Sequence, residues 1–82
     1  MTPDVLPALR EFLDENWGRA LRRSLSPTEP LVSSGIIDSF GLVDLSLFVE
    51  ERFGVRVDAS DVGQGRADTA VQIAQVIEAR RR

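Results

Sequence analysis

Ser39 stands where a polar loop meets a segment with helical periodicity, inside the run Gly-Ile-Ile-Asp-Ser-Phe-Gly-Leu-Val-Asp-Leu at positions 35–45. Asp38 directly precedes it, so its hydroxyl is expected to lie exposed at a helix N-terminus. Unpaired backbone N–H groups and the helix dipole favour an incoming phosphate at such a position. The residue types and their order therefore indicate a point of attachment. The alternative is that Ser39 only begins a helix, as many serines do.

Composition limits the chemistry that the bare chain can perform. The 82 residues include neither Cys nor His, and the formal net charge is −3. Disulfides, thiolate metal sites, the usual imidazole ligand and the usual general base are therefore missing, and we expect no metal site and no catalysis by the polypeptide alone. The acidic balance argues against nucleic-acid binding, which normally needs a basic face.

The N-terminal segment carries the signals of a first helix. Thr2 suits the cap position, Pro3 the first helical position and Asp4 the first turn. Apolar residues then recur at steps of three and four: Val5, Leu6, Leu9, Phe12, Leu13, Trp17, Ala20 and Leu21. Gly18 weakens the helix, so its end is predicted between Gly18 and Ser24.

A long loop and a second helix come next. The loop holds serines, prolines and Gly35, and apolar residues are expected to fasten it to the helices: Leu25, Leu31, Val32, Ile36 and Ile37. Asp38 is predicted to cap a helix that runs from Ser39 to about Phe53 and stops at Gly54. Its inward face is predicted to comprise Leu42, Leu45, Phe48, Val49 and Phe53.

Helix two has more apolar residues than its inward face requires. Val43 and Leu47 are expected to face water, beside the acids Asp44, Glu50 and Glu51, and this surface is typical of a docking face. Two alternatives stay open. A rotated helix would place Val43 and Leu47 in the core, and the acids are also compatible with an ordinary solvated face.

The C-terminal third predicts two further helices. Val55 and Val57 are interpreted as an extended loop with inward valines, since no second strand is evident. A short helical turn is expected at positions 58–62. Thr69-Ala70-Val71-Gln72 matches a capping box and opens the last helix, whose apolar face is predicted to contain Ala70, Val71, Ile73, Ala74, Val76 and Ile77.

The chain resembles the acyl, peptidyl and D-alanyl carrier proteins, in which an Asp-Ser-Leu or Asp-Ser-Phe serine opens helix two of a four-helix bundle. The signature here is Asp38-Ser39-Phe40, and the resemblance extends through the closing residues 68–71. With Gly41 included, the run looks most similar to stand-alone carriers, including the D-alanyl type. The resemblance implies one all-α carrier domain over residues 1–82, with a long first loop and a short third helix.

The resemblance also implies a prosthetic group and partners. A phosphopantetheinyl transferase would place 4′-phosphopantetheine on Ser39, with Asp38 as helix cap and recognition residue, and the group's thiol would carry an acyl or aminoacyl cargo as a thioester. Implied partners are an acyl-loading or adenylating enzyme and a downstream acyltransferase or condensing enzyme. They would dock on helix two, on a face that we assign to Phe40, Val43, Asp44, Leu47, Glu50 and Glu51.

A different class of function also fits the residues. The chain could act as an unmodified helical module that binds a partner through helix two, and its binding would then be indifferent to Ser39. No basic and apolar leader and no apolar run of membrane-spanning length is evident, so we expect a cytoplasmic monomer without membrane insertion.

Overall fold

A computed structural model describes residues 5–81 and shows helices joined by loops, with no strand in this range. The first helix comprises α1 (Val5–Leu13), a π-helical turn (Asp14–Gly18) and α2 (Arg19–Leu21), one after another. The remaining helices are α3 (Ser39–Phe53), α4 (Ala59–Gly63) and α5 (Ala70–Arg81). This confirms the predicted all-α, acyl-carrier-like bundle of four helices with a long first loop and a short third helix, α4.

The ends of the first helix meet the sequence prediction differently. The predicted cap at Thr2, Pro3 and Asp4 lies outside the described residues. The helix ends at Leu21, inside the predicted window, and Arg22 comes next with a left-handed φ of 58°. The π-helical turn was not predicted. Because it is wider than an α-helical turn, it rotates the residues after it, and Ala20 and Leu21 are exposed instead of continuing the apolar stripe.

One core runs through all the long helices and the first loop. Its buried side chains come from α1, from the first loop, from α3, from the segments that precede α4 and α5, and from α5: Val5, Leu9, Leu13, Leu25, Leu31, Ile37, Leu45, Val49, Val57, Ala67, Ala70, Ile73, Ala74 and Ile77. The loop residues that were expected to act as anchors do so, with Val32 and Ile36 packed against the core's edge. The burial of such apolar surface is the main driving force for folding.

Capping side chains fix where α3, α4 and α5 begin. Asp38 and Gly54 bound α3 as predicted, and Asp58 caps α4, which begins at Ala59. At α5 the Thr69 hydroxyl accepts from Gln72 N–H at 3.1 Å. The Gln72 side chain, however, accepts from the N–H of Asp68 at 2.8 Å, so the predicted reciprocal box is shifted by one residue. No helix in residues 5–81 is long and apolar enough to cross a membrane.

Candidate functional site

The first turn of α3 leaves the Ser39 hydroxyl available. Asp38 has extended backbone angles, and its Oδ1 accepts a hydrogen bond from Gly41 N–H at 2.8 Å. The cap is thus made by Asp38, and Ser39 becomes the first helical residue, with no part in capping. Ser39 is exposed, and its hydroxyl forms no hydrogen bond with any residue of the described range 5–81. A polar nucleophilic oxygen therefore faces solvent at the positive end of a 15-residue helix.

The loop that leads into Ser39 is held by Asp68, the residue directly before the cap of α5. Ile37 N–H donates to the carbonyl of Leu31 at 2.9 Å, and Leu31 N–H donates to the carbonyl of Asp68 at 2.7 Å. The Asp68 carboxylate also accepts from the N–H groups of Val32 and Ser33, at 2.8 and 2.9 Å, and from the Ser33 hydroxyl. These contacts tie the end of the first loop, which leads into α3, to the residue that precedes the cap of α5.

The pKa of Asp68 reflects the same anchoring contacts. The Ser33 hydroxyl bond, with smaller contributions from the backbone N–H bonds, lowers the pKa of Asp68 below its ordinary value, against the opposing effect of burial. The sequence analysis did not assign Asp68 this role. Its only local signal was an acid directly before a helix-capping threonine, whereas its partners are 35 and 36 positions away along the chain.

The outward face of α3 lies beside Ser39. Phe40 is 82% exposed, Val43 57% and Leu47 52%. We call these three residues the α3 ridge. The acids Asp44, Glu50 and Glu51 are exposed around it. The open alternative that Val43 and Leu47 belong to the core is therefore wrong, whereas the role of this face in docking stays a prediction.

A groove of about 460 Å³ opens between α3 and the start of α4. Ser39 lines one end and Glu50 lies eleven positions further on, which corresponds to about 16 Å of helix. Its remaining lining residues are mostly apolar: Leu42, Val43, Ser46, Leu47, Arg56, Val57, Asp58 and Ala59. Ser39 therefore lines an elongated and largely apolar groove.

An ion pair fixes the α4 wall of this groove. Asp61 is only 3% exposed, and its carboxylate accepts hydrogen bonds from both terminal nitrogens of Arg80 in α5. Nη1 lies 2.9 Å from Oδ2. Arg80 Nη1 also donates to the carbonyl of Arg56, and the Ser46 hydroxyl of α3 donates to the carbonyl of Val57. The Arg80 hydrogen bonds hold the pKa of Asp61 at about 2. Sequence reasoning did not find this pair.

Comparison with known proteins gives the class. Residues 11–77 match the family described as the phosphopantetheine attachment site. The D-alanyl carrier proteins of Streptococcus gordonii and Streptococcus thermophilus are each 32% identical over 72 residues, which is 88% of this chain and 89% of theirs. A mycocerosic acid synthase-like polyketide synthase of Mycolicibacterium smegmatis is 41% identical over 54 residues, covering 66% of this chain and 2% of that protein.

The chain belongs to this family of carrier proteins, and it is a carrier of covalently attached 4′-phosphopantetheine. The structure fits the group, because attachment needs a hydroxyl that is not already committed to the fold. Ser39 offers such a hydroxyl beside a largely apolar groove.

Proposed function

We propose that Ser39 is the attachment residue and that the protein shuttles an acyl or aminoacyl group between biosynthetic enzymes. The observation that carries the assignment is the exposed hydroxyl of Ser39, which has no hydrogen-bond partner among residues 5–81 because Asp38 makes the helix cap. In the attachment step Ser39 Oγ would bond to the phosphorus that bears the pantetheine of coenzyme A. The pyrophosphate bond would break, adenosine 3′,5′-bisphosphate would leave, and a base of the transferase would take the hydroxyl proton.

The chain itself would then act as a carrier and perform no catalysis. The attached arm supplies a thiol, which a chain without Cys lacks, and a thiol can hold a cargo as a thioester. Asp38 would fix the first turn of α3 and present Ser39 to the transferase. The nearly end-to-end match to D-alanyl carrier proteins favours an aminoacyl cargo, loaded by an adenylating enzyme, over a longer acyl chain.

The α3 ridge with its acids would form the docking face for partner enzymes. Phe40, Val43 and Leu47 expose apolar surface on a helix of a chain of only 82 residues, and exposed apolar surface rimmed by polar groups is typical of interaction sites. Asp44, Glu50 and Glu51 would face basic residues of the transferase, of the loading enzyme and of a downstream acyltransferase or condensing enzyme. Such charges chiefly steer encounter and select partners.

Intact-mass measurement tests the attachment site. Wild-type protein incubated with a promiscuous phosphopantetheinyl transferase and coenzyme A should gain the mass of one phosphopantetheine group, and Ser39→Ala should gain none. Ser60→Ala, which removes another exposed hydroxyl, is the matched control and should be modified like wild type. An unmodified wild type, or a modified Ser39→Ala variant, would contradict the assignment.

A second experiment tests the docking face. Leu47→Glu should keep the helical circular dichroism of wild type because Leu47 is half exposed, yet slow modification and cargo loading roughly tenfold by placing a charge on the apolar ridge. Gln75→Glu adds the same charge on an exposed position of α5 and should leave both rates unchanged. Equal rates in the two variants would remove the ridge from the proposal.

A further inference from the structure

The first helix contacts α3 through a tryptophan that sits in its π-helical turn. A Cβ atom added to Gly41 would lie 2.8 Å from Cζ2 and 3.3 Å from Nε1 of Trp17, and 3.2 Å from Cγ2 of Ile37. The shortest of these separations is below any that a real Cβ atom tolerates, and the atoms it meets belong to a rigid ring. The indole therefore lies flush against the backbone of α3, two residues after Ser39.

The π-helical turn that carries Trp17 is itself held on both sides. Asn16 Nδ2 donates to the carbonyl of Phe12 at 2.8 Å within the first helix. The Asp14 carboxylate accepts from Leu25 N–H and from the Ser24 hydroxyl, both at 2.8 Å, which ties the turn to the first loop. These bonds, that from Leu25 foremost, lower the pKa of Asp14. π-Helical turns are rare and are found frequently at functional sites.

The indole also has little freedom to move away from α3. Its ring meets Phe12 edge to face, with centroids 5.8 Å apart, and Phe12 stacks on Phe48 of α3 at 4.1 Å. Trp17 is thus placed between an aromatic pair and the Gly41 backbone. Gly41 in turn gives its N–H to Asp38. Two independent contacts, one polar and one steric, therefore fix the residue that comes after Ser39 and Phe40.

We propose that Trp17 is a positioning residue for the modification of Ser39. Its indole packs against the first turn of α3 and holds that turn in place, and this packing requires a glycine at position 41. This inference rests on the proposed function of Ser39. A transferase must bring the hydroxyl and the phosphorus into line, and small misplacements of a reacting group lower rates steeply. The contact therefore sets how fast Ser39 reacts, while Ser39 itself remains chemically unchanged.

The central experiment measures the kinetics of modification in a two-residue cycle. Gly41→Ala should lower kcat/KM for phosphopantetheinylation roughly tenfold, because the added methyl displaces either the ring or the helix start. Trp17→Phe shortens the ring system and should cost only about threefold. The double variant, in which the smaller ring leaves room for the methyl, should recover to within about threefold of wild type, and this recovery is the coupling that a contact produces.

Controls separate positioning from stability. Gly63→Ala adds a methyl to a helical glycine with nothing within 4 Å and should keep the wild-type rate. The chain has one tryptophan, so its fluorescence reports the contact directly, and Gly41→Ala should shift the emission. Alanine is the better helix former, so a slower reaction of a fully helical Gly41→Ala protein would not reflect lost helix propensity.

Three outcomes would overturn the inference. They are a wild-type rate in Gly41→Ala despite a shifted emission, a double variant no faster than Gly41→Ala, and, if Gly41→Ala does not fold, a Trp17→Phe protein that reacts like wild type. None of these would touch the assignment of Ser39. An unmodified wild-type protein, by contrast, would defeat the proposed function itself.

Discussion

Two helices of this protein begin at an acid followed by a hydroxyl residue, yet only one of the hydroxyls is available. At α3, Asp38 is the cap and Ser39 is the first helical residue. At α5, Thr69 is the cap, because its hydroxyl accepts from Gln72 N–H at 3.1 Å, and Asp68 is engaged with the first loop. A shift of the cap by one residue thus decides whether the hydroxyl serves the fold or faces solvent.

The acids around the two helix starts also differ in how far their carboxylates are engaged by the fold. Around α5 and α4, Asp68 and Asp61 have lowered pKa values because hydroxyl, backbone and guanidinium donors surround their carboxylates. At the start of α3, Asp38 makes its cap bond and is otherwise exposed. Polar groups near α5 therefore hold the bundle together, whereas the Ser39 hydroxyl is exposed and has no hydrogen-bond partner among residues 5–81.

The largest effect is expected when the Asp-Ser dipeptide is moved from the start of α3 to the start of α5. In a Ser39→Ala background, Thr69→Ser creates a second Asp-Ser pair, at the start of α5. We expect no phosphopantetheine on this double variant, because the hydroxyl at position 69 is held by Gln72 N–H and the acid before it is held by the loop. Intact mass after incubation with transferase and coenzyme A measures the result.

Thr69→Ser alone is the control for that experiment. It should gain one phosphopantetheine group, because Ser39 is intact and serine is as good a cap as threonine. A mass gain in the double variant would mean that the Asp-Ser dipeptide suffices wherever it stands, and that the position of the cap is irrelevant.

A smaller but still substantial effect is expected at the α4–α5 ion pair. Arg80→Gln leaves the nearly buried Asp61 carboxylate without its guanidinium. Because the Arg80 side chain is itself 38% exposed and partly screened by solvent, the free energy of unfolding should fall by about 2 kcal/mol. Arg81→Gln, at an exposed neighbour that stacks over Phe53, should change it by about 0.5 kcal/mol or less. Urea unfolding compares the two variants, and equal midpoints would show that the pair contributes nothing.

Acid should weaken the same region. The folded-state pKa of Asp61 is about 2, against an ordinary 3.8, so the stability it contributes is complete above the ordinary value. That contribution falls as protons bind between these two values, because the unfolded chain takes up the proton first. The free energy of unfolding of wild type should therefore decline more steeply below pH 4 than that of Asp61→Asn. Parallel pH profiles would contradict this assignment.

The sequence was sufficient where a structural signal lies within one or two helical turns. The limits of α3 could be predicted from Asp38 and Gly54, and the exposure of Val43 and Leu47 from spacing along a single helix. Such signals are local, so periodicity and capping preferences capture them.

The contacts that support the site could not be predicted in this way. Arg80 and Asp61 are 19 positions apart, and Asp68 and Val32 are 36 apart, so only the folded chain brings these polar groups together. The π-helical turn at Asp14–Gly18 replaces the regular period on which the prediction of Ala20 and Leu21 as inward residues relied. Asp61 and Asp68 anchor the fold through these distant contacts.

The smallest expected effect separates capping from function. Asp38→Ala and Thr69→Ala each remove one cap hydrogen bond, and each should lower the free energy of unfolding by about 1 kcal/mol. Their rates of phosphopantetheinylation should differ, because Asp38, unlike Thr69, holds the turn that presents Ser39. We expect Asp38→Ala to react several times more slowly and Thr69→Ala to react like wild type at a temperature where both are folded. If both variants slowed equally, the rate would follow stability. The local geometry of the α3 start would then have no influence on the reactivity of Ser39.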